Sequence, residues 1–534
     1  MKEPDRIDLS ESEADELLQR LDAGRLNAKD YELLGVVLKS WLWLSRVVRD
    51  NRISIKELKK LIFGARSEKT RKVLKTKADG KKDTPGDAVP KEKPKGHGRN
   101  GSNAYTGAER TCLKCEGVRP GDRCPKCGKG KIYPYKPSEI VCIRGQAPIH
   151  AHIYELERLR CNLCGAWFKA ATPEEATGAK YDPSAGSMMS MLHYGCGFPF
   201  NRLESLQGNL EIPLPSSTQW DVINGMADEV YPVFGEINRH AAAGEIFHND
   251  DTKGRVLALE KQIAAEIEAC RAQGKDCRTG VFTTGIVAET QGRHIALFFT
   301  GRKHAGENLS DLLNKRSQDL PLPIQMCDAL SRNAPKGFQR LLANCLCHGR
   351  REFVKIIEDF PDECRHVLEA LREVYKHDAY TKETGMSKED RLAFHQQNSQ
   401  PIMDDLFDWL NVQIDEKRIE PNSRMGGAIN YMLKHWKELT LFLRVPGAPL
   451  DNNICERALK TPIRHRKNSL FFKTERGALV GDVFMSLIHT CRLNSVNAFE
   501  YLRTIAQFSR QVAAAPEEWL PWNYHETMVR CASP

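Results

Sequence analysis

"TGVFTTGIVAET", residues 279–290, is the stretch on which the fold turns. β-branched and aromatic residues crowd into one short run, which is the composition of a strand. "RHIALFFTG" (293–301) continues in the same style, and "EIFHNDDT" (245–252) comes before it. Between the first and second of these runs lies "LEKQIAAEIEACRAQ" (259–273), which reads as a helical insertion. Further on, "AGENLSDLLNK" (305–315) reads as one short helix and "PIQMCDAL" (323–330) as another strand. The order is therefore β-β-β-α-β, which sets the first and fourth strands side by side at the centre of a sheet. Residues 183–236 before this block and 338–445 after it read as helical. Asp451 opens a further helix that Pro462 is expected to end, since proline has no N–H to continue it. "GALVGDVFMSLIHTCRLNSVNAFEYLRTIAQF" (477–508) is amphipathic helix.

At 534 residues the chain exceeds one ordinary domain, and about three to five compact units are expected. With 41% hydrophobic and 28% charged residues it has a globular composition. No apolar run is long enough to span a bilayer, and the opening "MKEPDRIDLSESEADELL" is too acidic for a secretory signal. A cytoplasmic protein is expected. The net charge of +9 matters through its distribution. Arg66 to Arg99 holds twelve Lys or Arg against five Asp or Glu, in a Lys-, Pro- and Gly-rich tract without apolar periodicity. That tract reads as a flexible basic linker, either a solvated tether or a segment suited to polyanions. Before it, residues 8–75 carry Leu, Ile and Val at helical spacing.

Seventeen cysteines without a secretion signal argue against a disulfide scaffold. Six fall in three C-x-x-C pairs: Cys112/Cys115, Cys124/Cys127 and Cys161/Cys164. That spacing puts two thiolates on one tight turn, within reach of a tetrahedral zinc. Cys124, Cys127, Cys161 and Cys164 would make one structural zinc ribbon with 33 residues between its halves. Cys112 and Cys115 are alternative ligands.

Three acids stand where chemistry could gather: Asp250 on the first strand, Asp328 on the fourth, and Glu456 near the start of the late helix. Central strands and a helix packed on them would bring all three to one point. Such a set suits two magnesium ions about 4 Å apart, which clamp the attacking and leaving oxygens of a phosphodiester. Each acid also has a structural reading. Asp250 and Asp251 would end a strand, Asp328 would cap a turn, and Glu456 would complete a capping box with Asn453.

The motifs "LIFGARSEK" (61–69), "GHGRNGSNAYTGA" (96–108), "CPKCG" (124–128), "HNDDT" (248–252), "GRKHAGENL" (301–309), "CDALSRN" (327–333), "CHGRREF" (347–353), "DNNICERALKTPIRHRKNSLFF" (451–472) and "LPW" (520–522) occur in this order. Together they resemble the large, TnpC-type transposase of the insertion-sequence-66 family, along nearly the whole chain. The resemblance implies a DDE transposase with a ribonuclease-H-like core, and a catalytic triad at Asp250, Asp328 and Glu456 binding magnesium or manganese, two ions per active site. It implies metal-dependent cleavage of element ends and transfer of the freed 3′ hydroxyls to target DNA. It also implies work with two smaller proteins of the same element, and pairing of ends implies a homo-oligomer on double-stranded DNA. Where the family has Asp-Glu-Thr, this chain has Asp250-Asp251-Thr252. Successive strand residues face opposite ways, so Asp251 is expected at the rim of the site.

Beside Glu456, the residues Arg464, Arg466, Lys467 and Lys473 would hold the DNA backbone, with His348, Arg350 and Arg351 as further phosphate contacts. Asn452 and Asn453 would cap the helix. The expected organisation is a multidomain α+β chain: an N-terminal helical region (1–75), a basic linker (76–110), a zinc ribbon (111–170), a helical DNA-binding or connecting region (171–240), the first part of the core (241–337), a helical insertion domain (338–447), and core completion with C-terminal helices (448–534). The 127 residues between Asp328 and Glu456 leave room for that insertion.

Overall fold

The computed structural model describes residues 178–272 and 278–532 without a break, together with 119–127, 129–134, 147–160, 167–173 and scattered positions between 17 and 103. The chain divides into two compact units, Met1–Asp83 and Thr84–Pro534. In the first, Asn27 and Asp30 bond each other's backbone N–H at 3.0 Å, which starts a helical turn. Arg20 pairs with Asp30 at 3.2 Å.

In the second unit, β1 (Arg158–Arg160) and β2 (Trp167–Lys169) pair antiparallel and bracket the third cysteine pair. Five further strands form one mixed sheet: β3 (Ile246–Lys253), β4 (Phe282–Thr290), β5 (Arg293–Gly301), β6 (Ile324–Cys327) and β7 (Leu341–Asn344). Their spatial order is β5-β4-β3-β6-β7. The first three are antiparallel neighbours, while β6 runs parallel to both β3 and β7. The first and fourth strands are therefore adjacent, as expected from the sequence. β7 falls where the sequence pattern points to helical insertion. A four-residue apolar run has no periodicity to separate strand from helix.

Helices α1 (Pro183–Ser190), α2 (Phe200–Asn209) and α3 (Ser216–Ala242) precede the sheet. α4 (Leu257–Ala272) follows β3, and α5 (Ala305–Leu313) makes the crossover from β5 to β6. Between β7 and the late helix stand α6 (Leu346–Ile356), α7 (Pro361–Glu383), α8 (Lys388–Asn398), α9 (Gln400–Asp415) and α10 (Arg424–Lys434). The chain then returns through α11 (Asn453–Ser469) and α12 (Glu475–Leu493). Among the described residues no helix is long and apolar enough to cross a membrane.

α11 does not stop at Pro462 but runs on to Ser469. Pro462 is buried, as are Thr461 and His465 beside it, so packing holds the helix together across one missing hydrogen bond. Its approach to the sheet depends on Gly285, the cross-strand partner of Asp250. A Cβ there would lie 2.9 Å from Leu459 Cδ2. Lacking it, the sheet lets Cys455 reach the Gly285 carbonyl at 3.3 Å. The helix carrying Glu456 thus sits on β3 and β4.

α12 closes the sheet's outer edge. The outward N–H groups of β5 donate to one face of this helix and the residue after it: Thr300 to Asp482 (2.6 Å), Phe298 to Ser486 (2.9 Å), Ala296 to Thr490 (3.1 Å) and His294 to Asn494 (3.3 Å). Four helical residues rise about 6.0 Å and two strand residues about 6.8 Å, so the two repeats stay in step. A strand edge that would otherwise offer unpaired donors is satisfied by side chains.

Candidate active site

β3 presents Asp250 beside β6, and Asp328 follows directly after that strand. The chain then makes a single turn, Ser331–Asn333, which returns Asn333 to the two acids. Its side-chain nitrogen lies 3.5 Å from Asp250 Oδ1 and also donates to Asp328 Oδ1. The two aspartates therefore converge on one amide. Asp250 also accepts from the Asp251 N–H at 2.8 Å. Burial, and then the charge of Asp328, push the Asp250 carboxyl up to about 7. A buried acid beside another acid favours the proton unless a cation lies between them.

A buried polar network fixes this corner. Asn249 Nδ2 and Gln325 Nε2 both donate to the Asn333 carbonyl, at 2.8 and 2.7 Å. Gln325 also donates to Asn249 Oδ1 at 2.8 Å. Asn452 donates to the Asn249 carbonyl at 3.1 Å, and its oxygen lies 3.2 Å from His248 Nδ1. Asn452 thus ties α11 to β3 instead of capping the helix through its side chain. Asn453 binds Asp451 at 2.7 Å.

Asp251 is not at a rim. Its side chain is 1% exposed, with His304 Nδ1 at 2.8 Å and Arg332 at 3.4 Å. Strand alternation turns it away from Asp250, into a polar cluster that joins β3 to the start of α5. His304 stands at the N-terminal cap of that helix, where Glu307 accepts its backbone N–H at 2.8 Å.

Glu456 is held by residues of α6. Arg351 grips both its oxygens, at 3.2 and 2.9 Å, and His348 Nε2 lies 3.8 Å away. The ligand atoms of Cys345, His348 and Glu456 all fall within 4.8 Å of one another. The structure therefore brings Asp250 and Asp328 together and holds the third acid on an arginine from α6. The single-residue capping box with Asn453 is not made.

The basic positions divide. Lys467 and Lys473 are exposed. Arg464 reaches the Gly195 carbonyl at 3.5 Å, and Arg466 bonds Thr252 Oγ1 at 3.4 Å and the Lys253 carbonyl. Arg350 is buried, which removes it from the surface expected to meet phosphate. Amphipathic helix geometry puts neighbouring residues of "GRR" on different faces, and Arg351 is the one that grips Glu456.

At the first described knuckle, Cys124 N donates to the Gly130 carbonyl at 2.8 Å and Gly130 N donates to Cys127 Sγ at 3.5 Å. Backbone N–H groups of Gly130 and Lys129 lower the Cys127 thiol below its ordinary range. Cys112, Cys115, Cys161 and Cys164 lie outside the described residues.

The polar residues Asn249, Gln325 and Asn333 were not legible as a site. The signal available for Asn249 and Asn333 is their proximity to the acids within "HNDDT" and "CDALSRN", and for Gln325 its place three residues before Asp328. The family model described as "Transposase IS66 family" matches residues 178–479, a span that contains Asp250, Asp328 and Glu456. The uncharacterized protein y4hP of Sinorhizobium fredii is 26% identical over 427 residues, covering 76% of this chain and 74% of that one. From the same organism, the uncharacterized protein y4jD is 33% identical over 195 residues, 35% of this chain and 37% of its own. A third, y4qI, is 27% identical over 186 residues, 34% of each.

Proposed function

Because this chain belongs to the IS66 transposase family, we propose that it cuts the ends of an insertion sequence and joins their 3′ hydroxyls to target DNA by metal-dependent phosphodiester chemistry. The observation that carries this reading is the convergence of Asp250, on β3, and Asp328, directly after the adjacent parallel β6, on a single buried amide. Three antiparallel strands followed by two parallel ones, with α11 laid on the centre, support a ribonuclease-H-like core. The donor set of carboxylate oxygens fits magnesium or manganese, which prefer hard oxygen ligands. When bound, two such ions supply charge stabilisation at the attacking and leaving oxygens.

The chain's own residues do the positioning. Asp250 and Asp328 would hold the ions from the sheet. Glu456 would be the third acid able to hold them, with Arg351, which grips both its oxygens here, as the neighbouring cation for a phosphate. Lys467 and Lys473, with Arg464, Arg466 and Arg351, line the DNA backbone. Burial argues against the same role for Arg350. Cys124 and Cys127 hold a structural zinc with Cys161 and Cys164, or with Cys112 and Cys115. This ribbon (111–170), the N-terminal helical region (1–75), the basic linker (76–110) and the helical region at 171–240 recognise the terminal repeats ahead of the core (241–337 and 448–534), which the segment 338–447 interrupts. The working form is a homo-oligomer on double-stranded DNA in the cytoplasm, with accessory proteins of the same element.

The test is strand cleavage and joining on end DNA of the element that carries the gene. Asp250→Asn, Asp328→Asn and Glu456→Gln should each bind that DNA while losing both reactions. Cleavage by either aspartate variant at the unmodified rate refutes the assignment. Cleavage without joining by the unmodified protein marks a nuclease of the same fold, and binding without cleavage marks a domesticated DNA-binding protein.

A further inference from the structure

We propose that Asn333 is a ligand of the cation site, through its amide oxygen, which replaces the amide nitrogen facing Asp250 and Asp328 when the ion binds. This inference rests on the reading of those two aspartates as cation ligands.

Asn333 is fully buried. Its amide nitrogen lies between the two carboxylates, 3.5 Å from Asp250 Oδ1 and in contact with Asp328 Oδ1. Its amide oxygen is buried with no hydrogen-bond partner. A neutral N–H₂ between two acids is the best available neighbour while no cation is present, because it donates to both. A divalent ion at the same place reverses the demand. The carboxylates then spend their charge on the ion, and the position next to it needs an electron-pair donor. An amide oxygen is a hard ligand of the kind magnesium and manganese accept.

The main chain of Asn333 does not need to move. Its carbonyl is pinned by Asn249 Nδ2 at 2.8 Å and Gln325 Nε2 at 2.7 Å. Half a turn about the last side-chain torsion exchanges nitrogen and oxygen, which have nearly the same size and occupy nearly the same space. The present orientation leaves the amide oxygen without a partner, so what holds the nitrogen toward the acids is the two acids themselves. The cation decides the orientation. Pinning by Asn249, next to Asp250 in the chain, and by Gln325 on β6 places the amide at the junction of the two strands that carry the acids.

Manganese binding to the full chain, followed by the loss of the free ion's electron-spin signal, tests this. Asn333→Leu keeps the branched shape and the number of heavy atoms and removes the ligand, and should weaken binding on the order of tenfold or more. Asn333→Asp keeps an oxygen and loses the N–H₂, and should bind manganese at least as tightly as the unmodified protein. Equal weakening in both variants shows that the donor nitrogen matters, and overturns the proposal. Unchanged binding in Asn333→Leu also overturns it. Asp250→Asn is the control for the underlying reading. If it loses manganese while Asn333→Leu does not, this inference fails alone; if it keeps manganese, both fail. Where Asn333→Asp does not fold, the unmodified protein labelled with ¹⁵N-asparagine gives a second measurement. The side-chain resonance missing from Asn333→Leu should shift on adding magnesium, and its N–H₂ hydrogens should exchange faster. An unmoved, still protected resonance overturns the proposal.

Discussion

Asp250 and Asp251 are adjacent in the chain and opposite in what they cost the fold. Asp250 is held near Asp328, with burial and that charge raising its carboxyl to about 7. Replacing it with Asn removes a like-charge conflict, so folding stability should stay level or rise while cation binding is lost. Asp251 has two partners, the His304 imidazole at 2.8 Å and the Arg332 guanidinium at 3.4 Å, on a side chain that is 1% exposed. Asp251→Asn strands both. Because His304 and Arg332 are partly solvated, the loss should be about 1–2 kcal/mol, below the figure for a fully buried pair. Manganese binding should survive. Thermal unfolding of the two variants side by side separates the roles, and a less stable Asp250→Asn with an unaffected Asp251→Asn would reverse the assignment. Strand alternation makes the opposite facing of the two residues legible in "HNDDT". The partners of Asp251 are not, since His304 lies 53 residues away along the chain and no local pattern reports such a contact.

At the scale of elements, α12 and β5 form a matched pair. Ser486→Ala and Thr490→Val each remove the acceptor for a buried β5 N–H, at Phe298 and Ala296. An unsatisfied buried donor costs about 1–3 kcal/mol. Both variants should lower the denaturant midpoint, and hydrogen exchange at the amides of Phe298 and Ala296 should accelerate while β3 stays protected. Unchanged exchange at those two amides would show that solvent satisfies them and that the helix merely lies alongside. The strands themselves were readable because Val, Ile, Thr and Phe concentrate in runs of nine between turn residues. β7 was not, because "LLAN" is four residues long. The length of α11 was not either: proline's local preference to end a helix gave way to burial of Pro462.

The whole molecule carries opposing proton linkages. Burial lowers His193 to about 4, His465 to about 3 and His489 to about 4, from an ordinary 6.5. The unfolded chain then binds more protons than the folded one between pH 6.5 and about 4, so stability falls as the solution is acidified through that window. Each such histidine contributes on the order of 2 kcal/mol by pH 4.5. Asp482 acts in the other direction. Burial raises its carboxyl from 3.8 to about 7, so the folded state holds the extra proton, and its contribution is complete below 3.8 and lost as pH rises through 7. His248 is likewise lowered to about 4 and Asp250 likewise raised to about 7, and with four histidines against two carboxyls the unfolding midpoint should drop between pH 6.5 and 4.5. Asp482→Asn should make that drop steeper by deleting part of the opposing slope. A midpoint that rises on acidification would show that the histidines are protonated in the fold.

The helix that closes the edge of β5 arrives late in synthesis. Its four acceptors stand 182 to 200 residues beyond the amides they satisfy. At ordinary ribosomal speed that is an interval of roughly ten to forty seconds. Throughout it, the nascent chain presents a nine-residue strand with one bare margin, and any passing extended peptide is a competitor for the place that Asp482, Ser486, Thr490 and Asn494 will take.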